Sequence, residues 1–273
     1  MTQDDAFKAE FVLSSIEMHA ALQEVVGDWL PDTQTARLNE VVEHWRDPLD
    51  AALIRLTLEG GSRKDWLDVV REGTQSVRDG LTACHYHVSR IVQIENEILD
   101  FCEKRGELFR EGVDTNFRIP SLSAEYAALQ FALRRTLDYL AKTVGAFFKT
   151  DGGSFRRLGK TIEGRQPVEN AEAILNRLAS TDLSSILGTD EGHSVRDQLA
   201  HHQVVEAAWF GVQRVDGDLK VRYSSEVEDI EQDSFLTTPH RGRDLSMSVA
   251  AKLAFVEDAI FGCYVDLGLL GPS

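Results

Sequence analysis

The chain has 273 residues, 42% of them hydrophobic and 27% charged, which is enough to bury a sizeable core and excludes wholesale disorder. No run approaches the roughly 18 apolar residues of a membrane span, and the acidic start MTQDDAFKAE lacks the basic-then-apolar order of a secretory signal. Cys84, Cys102 and Cys263 are scattered and odd in number, which argues against a disulfide framework and makes a reducing cytoplasm the expected location.

The formal net charge of −16 is unevenly spread. Residues 1–114 carry 12 basic and 23 acidic side chains, and residues 181–273 carry 7 and 16. Residues 115–180 carry 10 basic and 6 acidic ones, so the middle third is the only basic stretch, with Arg156, Arg157, Lys160 and Arg165 at its centre. A polyanion would approach there rather than at the acidic flanks.

In chain order, residues 1–112 read as consecutive helices forming an N-terminal helical region. Phe7, Phe11, Leu22 and Val26 mark the first, and Leu38, Val42 and Trp45 the second. Asp47-Pro48 restarts the pattern as an N-cap with proline at the first helical position. Ser62-Arg63-Lys64-Asp65 resembles a capping box, and from Leu81 a long helix carries Val88, Ile91, Ile98 and Phe101. A loop ending at Pro120 follows. Leu129, Leu133, Leu137, Leu140, Val144 and Phe147 then recur at steps of three and four, the clearest helical stripe in the chain. Asp151-Gly152-Gly153 ends it, Pro167 opens a helix to about Ala179, and His193 to Val212 keeps an approximately helical step. Alternation around Asp216-Gly217 predicts a β-hairpin, then an acidic loop leads to a last helix from about Asp244 to Leu267. The expected fold class is therefore all-α with one small β-hairpin insertion.

Several familiar motifs fail. Gly159-Lys160-Thr161 matches the end of a P-loop, but Ser154 occupies the position of its first glycine and no strand precedes it. No Glu-x-x-His occurs, which removes a di-iron bundle. Cys84, His85 and His87 point to different faces of a helix, so no metal is expected there. No G-x-S-x-G elbow is present, and no cofactor is implied.

One constellation suits phosphodiester chemistry: Ser194-Val195-Arg196-Asp197-Gln198-Leu199-Ala200-His201-His202. Asp197 and His201 are four apart and share a helix face, so the carboxylate can orient the imidazole. Histidine can move a proton near neutrality, and arginine can hold phosphoryl oxygens bidentately. On residues alone, an Arg-Asp-His face is more often an ordinary solvated helix surface than a catalytic site.

Arg196-Asp197-x-x-x-His201 resembles the R-x(4–6)-H signature of the HEPN superfamily, helical-bundle proteins of prokaryotic toxins and RNA-targeting defence systems; His202 fits the next spacing. The order of a long amphipathic helix, a basic joint, a helix, the motif helix and a final helix is also similar, over about residues 120–270. The resemblance implies a HEPN-like bundle there and a metal-independent endoribonuclease acting on single-stranded RNA. It implies a homodimer whose two motifs meet, with an antitoxin or regulatory protein as a further partner. His201 would move the proton of the ribose 2′-hydroxyl, Arg196 would stabilise the phosphate, and Asp197 would position the pair. Arg156, Arg157, Lys160 and His202 would bind substrate. The alternative is a non-catalytic scaffold or protein-interaction module, because many members of the family lack activity.

Overall fold

The computed structural model describes residues 49, 52–53, 66–181, 183, 186, 207–225, 227–228, 230–236 and 245–270. The fold is mostly helical, with a small antiparallel sheet. Its elements are α1 (Trp66–Lys104), β1 (Thr115–Arg118), α2 (Pro120–Phe147), a 3-10 turn (Phe155–Arg157), α3 (Leu158–Ile162), α4 (Val168–Ser180), β2 (Trp209–Val215), β3 (Asp218–Ser225), β4 (Ile230–Phe235) and α5 (Leu245–Asp266). No helix among the described residues is long and apolar enough to cross a membrane.

The chain groups into two units. One comprises residues 1–82, 133–183 and 254–273, the other residues 83–132 and 184–253. Both take segments from either side of the 113–119 stretch.

In the first unit the leucine stripe of α2 does what its spacing predicts. Leu133, Leu137, Leu140 and Val144 are fully buried, each contributing about 1.5–3 kcal/mol by leaving water. The first half of α1 runs antiparallel to this helix across a seam of small residues. A Cβ at Gly73 would lie 2.3 Å from the Thr143 hydroxyl, and one at Gly80 would lie 2.3 Å from that of Thr136. Tyr264 of α5 donates to the Thr74 hydroxyl at 2.9 Å, and Arg177 of α4 grips Asp266 through Nε at 2.6 Å and a second nitrogen at 3.2 Å. Gly80→Ala should therefore destabilise the protein by about 1–3 kcal/mol through overpacking, although alanine is the better helix former. A thermal melt equal to or above that of the parent chain would contradict so tight a seam.

In the second unit the expected hairpin forms. Val215 pairs with Asp218 across the two-residue turn Asp216-Gly217, whose φ angles of 52° and 88° are those of a primed turn. Glu111 accepts the Asp216 N–H at 2.7 Å, and Arg214 reaches the carbonyls of Gly106 at 2.6 Å and Phe109 at 3.3 Å. The loop after α1 is thus fastened to the hairpin tip.

Two expectations need correction. The sheet has four strands in the order β1-β2-β3-β4, so the fold is not all-α with a lone hairpin. Thr115↔Val212 to Arg118↔Trp209 adds β1, and Lys220↔Phe235 to Ser225↔Ile230 adds β4. The helical step expected from His193 to Val212 also fails at its end, because Trp209 to Val212 is strand. There Phe210 and Val212 share one buried face, and the Phe210 ring meets Tyr223 edge-on at 4.7 Å.

The last helix starts where a buried carboxylate meets it. Glu95 of α1 accepts the N–H groups of Leu245 at 3.1 Å and Ser246 at 3.2 Å and the hydroxyl of Tyr223 at 2.9 Å. Two of the helix's orphan donors are satisfied in this way, at its positive end.

Candidate nucleic-acid interface

The basic joint is built from the inside outward. Phe155, Leu158 and Ile162 are buried and anchor the 3-10 turn and α3, which leaves Arg156, Arg157 and Lys160 facing solvent. The approach to the joint needs glycine. A Cβ at Gly152 would sit 1.8 Å from the Ala141 carbonyl oxygen, so only a bare Cα lets the chain fold back along α2. Asp138 of α2 then accepts the Phe155 N–H at 2.9 Å while it pairs with Arg134 at 3.4 Å. That carboxylate fixes the first residue of the turn beside α2 and has part of its charge neutralised by Arg134.

The same stretch of α2 carries cations outward. Arg135 and Lys142 are exposed, and the half-buried Tyr139 lies between them. The Arg135 guanidinium carbon is 5.2 Å from the Tyr139 ring centre, and the Lys142 ammonium is 6.0 Å from it. Arg135 also donates from Nε to the Tyr139 hydroxyl. From residue 133 to 165 there are eight basic and three acidic side chains, in a chain that is otherwise strongly acidic. Among the acidic ones, Asp138 and Asp151 both accept backbone N–H groups, the latter from Gly153 at 3.0 Å.

Comparison with protein-family models, curated proteins and solved structures finds no match to this chain.

Arg196, Asp197, His201 and His202 lie outside the described residues. Arg156, Arg157 and Lys160 come together on the 3-10 turn and α3, as their sequence proximity requires. Gly159, Lys160 and Thr161 lie within that short helix, and no strand precedes them directly, an arrangement unlike a P-loop. Arg135, Tyr139 and Lys142 are the additions that sequence reading missed. Their spacing of four and three was the signal, masked by the stronger leucine stripe on the opposite side of α2.

Other groups have structural work. His87 Nδ1 lies 2.7 Å from Glu125, while Cys84 and His85 are buried within α1. Burial pushes the Cys102 thiol up to about 11 and the Cys263 thiol up to about 12, so neither is a ready nucleophile at neutral pH. A cavity of about 280 Å³ in the second unit is lined chiefly by Ile94, Ile98, Phe101, Phe117 and Ile119, with Cys102 at its wall.

Proposed function

We propose that this chain is a HEPN-type endoribonuclease of toxin or defence kind, cutting single-stranded RNA without a metal. The observation that carries the reading is the Arg196-Asp197-x-x-x-His201 spacing, in a chain whose one basic stretch surfaces at Arg156, Arg157 and Lys160. Mostly helical architecture agrees with it at the level of fold class.

In this mechanism His201 takes the proton from a ribose 2′-hydroxyl, and the freed oxygen attacks the adjacent phosphorus. Arg196 holds the non-bridging oxygens as negative charge builds on them. The 5′-oxygen leaves with a proton from the second motif of a homodimer, giving a 2′,3′-cyclic phosphate and a 5′-hydroxyl. Asp197, four residues before His201 in sequence, keeps the imidazole oriented. Arg156, Arg157 and Lys160 bind the flanking phosphates.

The purified 273-residue chain should cleave single-stranded RNA in the presence of EDTA and leave cyclic phosphate ends. Products with 3′-hydroxyl ends, or activity abolished by EDTA, would overturn the mechanism. A folded dimer inert on every RNA tested would favour the scaffold reading instead.

A further inference from the structure

The basic surface does not end at the joint between α2 and α3. We propose that Arg135, Tyr139 and Lys142 on α2 form, with Arg156, Arg157 and Lys160, one continuous track for single-stranded RNA, in which the Tyr139 ring stacks on a base. The inference rests on the ribonuclease reading for its ligand, but its geometry stands apart from Arg196 and His201.

Three observations support the track. The Phe155 N–H is tied to Asp138 at 2.9 Å and Gly152 packs against the backbone of Ala141 and Lys142, so the chain leading into the basic turn runs along α2 beside Lys142. Arg135 and Lys142 are seven positions apart on α2, about 10 Å along the helix axis, and their cations lie 5.2 and 6.0 Å from the centre of the Tyr139 ring, so a base that stacks on the ring takes the place of one of them and leaves it for a neighbouring phosphate. Lys142, Arg157 and Lys160 are all exposed. Exposed cations spaced around an aromatic ring are the elements of sequence-tolerant single-strand binding: charges follow the backbone, and a π-face accepts any base. Duplex RNA offers no unstacked base to such a ring. A protein partner for a basic surface would instead need an acidic patch and would be indifferent to the ring's stacking face.

The test uses the 273-residue chain carrying His201→Ala, so that bound RNA stays intact, and labelled oligouridine read by fluorescence polarisation across a salt series. Tyr139→Ala should weaken binding on the order of ten-fold, whereas Tyr139→Leu, which fills the same space without a π-face, should be equally weak if stacking matters. Arg135→Gln and Lys142→Gln should each flatten the logarithmic salt dependence by about 0.7, the value for one lost single-strand phosphate contact. The same substitutions should change duplex RNA binding much less. Oligouridine that binds through these residues but is never cut by the parent chain would support the track and sink the ribonuclease. RNA cleaved normally, with binding unaltered by all three substitutions, would overturn the track alone. Equal losses on duplex and single strand, or no RNA binding at all, would also overturn it.

Discussion

Under the proposed mechanism, replacing His201 with alanine should lower RNA cleavage by about a hundred- to ten-thousand-fold, the usual worth of a positioned proton carrier. Arg196→Ala should fall within a similar range, because the phosphate charge would then develop without its clamp. Arg196→Lys should not rescue it. A lysine ammonium is a point charge and cannot present the planar fork that holds two oxygens at once. Both residues are polar positions among the apolar Val195, Leu199 and Val205 of the sequence, so both variants should melt like the parent. His202 provides the control: adjacent in sequence and fitting the longer spacing, it should alter stability or RNA affinity more than rate. The readout is single-turnover cleavage of a labelled RNA beside a thermal melt. Cleavage that survives both His201→Ala and Arg196→Ala would remove the chemistry from this motif.

What could be read from sequence depended on how local its cause is. The stripe from Leu129 to Phe147 was legible because a helix's period is written in its own residues, and α2 runs from Pro120 to Phe147 accordingly. The turn at Asp216-Gly217 was legible because both residues tolerate positive φ. Strands β1 and β4 were not legible because their partners make them strands. Thr115 to Arg118 is four residues long and is held by pairing with Trp209 to Val212, far along the chain. Glu231 and Asp233 looked like part of an acidic loop. They pair across the sheet with Arg222 and, at 2.7 Å, with Lys220, so cross-strand charge complementarity offsets their poor strand propensity.

The candidate site divides along the same line. Arg156, Arg157 and Lys160 were found because they are adjacent in sequence. Arg135, Tyr139 and Lys142 carry a helical spacing that the leucine stripe outweighs, and what brings the basic turn back to α2, the Asp138 contact with the Phe155 N–H, is written in no periodicity.

Glu228→Ala should destabilise the second unit by about 3–5 kcal/mol, the cost of leaving a buried charge without its partner. Glu228 lies on the turn between β3 and β4 with a side chain only 5% exposed. Its carboxylate accepts from Tyr126 at 2.5 Å, Ser248 at 2.7 Å and Lys252 at 2.6 Å, so one side chain ties the sheet's turn to α2 and α5. Removing it strands the Lys252 ammonium, itself 13% exposed, and two hydroxyls. Lys252→Met combined with Glu228→Gln should be milder than the sum of the two single changes, since no unpaired charge remains. The network also sets a pH limit. Burial first, and the charge of Glu228 second, hold the Tyr126 hydroxyl well above its ordinary range, and burial does the same for Tyr264. Their folded values are raised, so their contribution is complete below the unfolded tyrosine value of about 10 and is lost as pH rises beyond it. Urea midpoints should therefore hold steady from neutrality and fall above about pH 10, with Tyr126→Phe reducing the slope of that fall. A Glu228→Ala midpoint close to that of the parent chain would mean the turn is not held by this carboxylate.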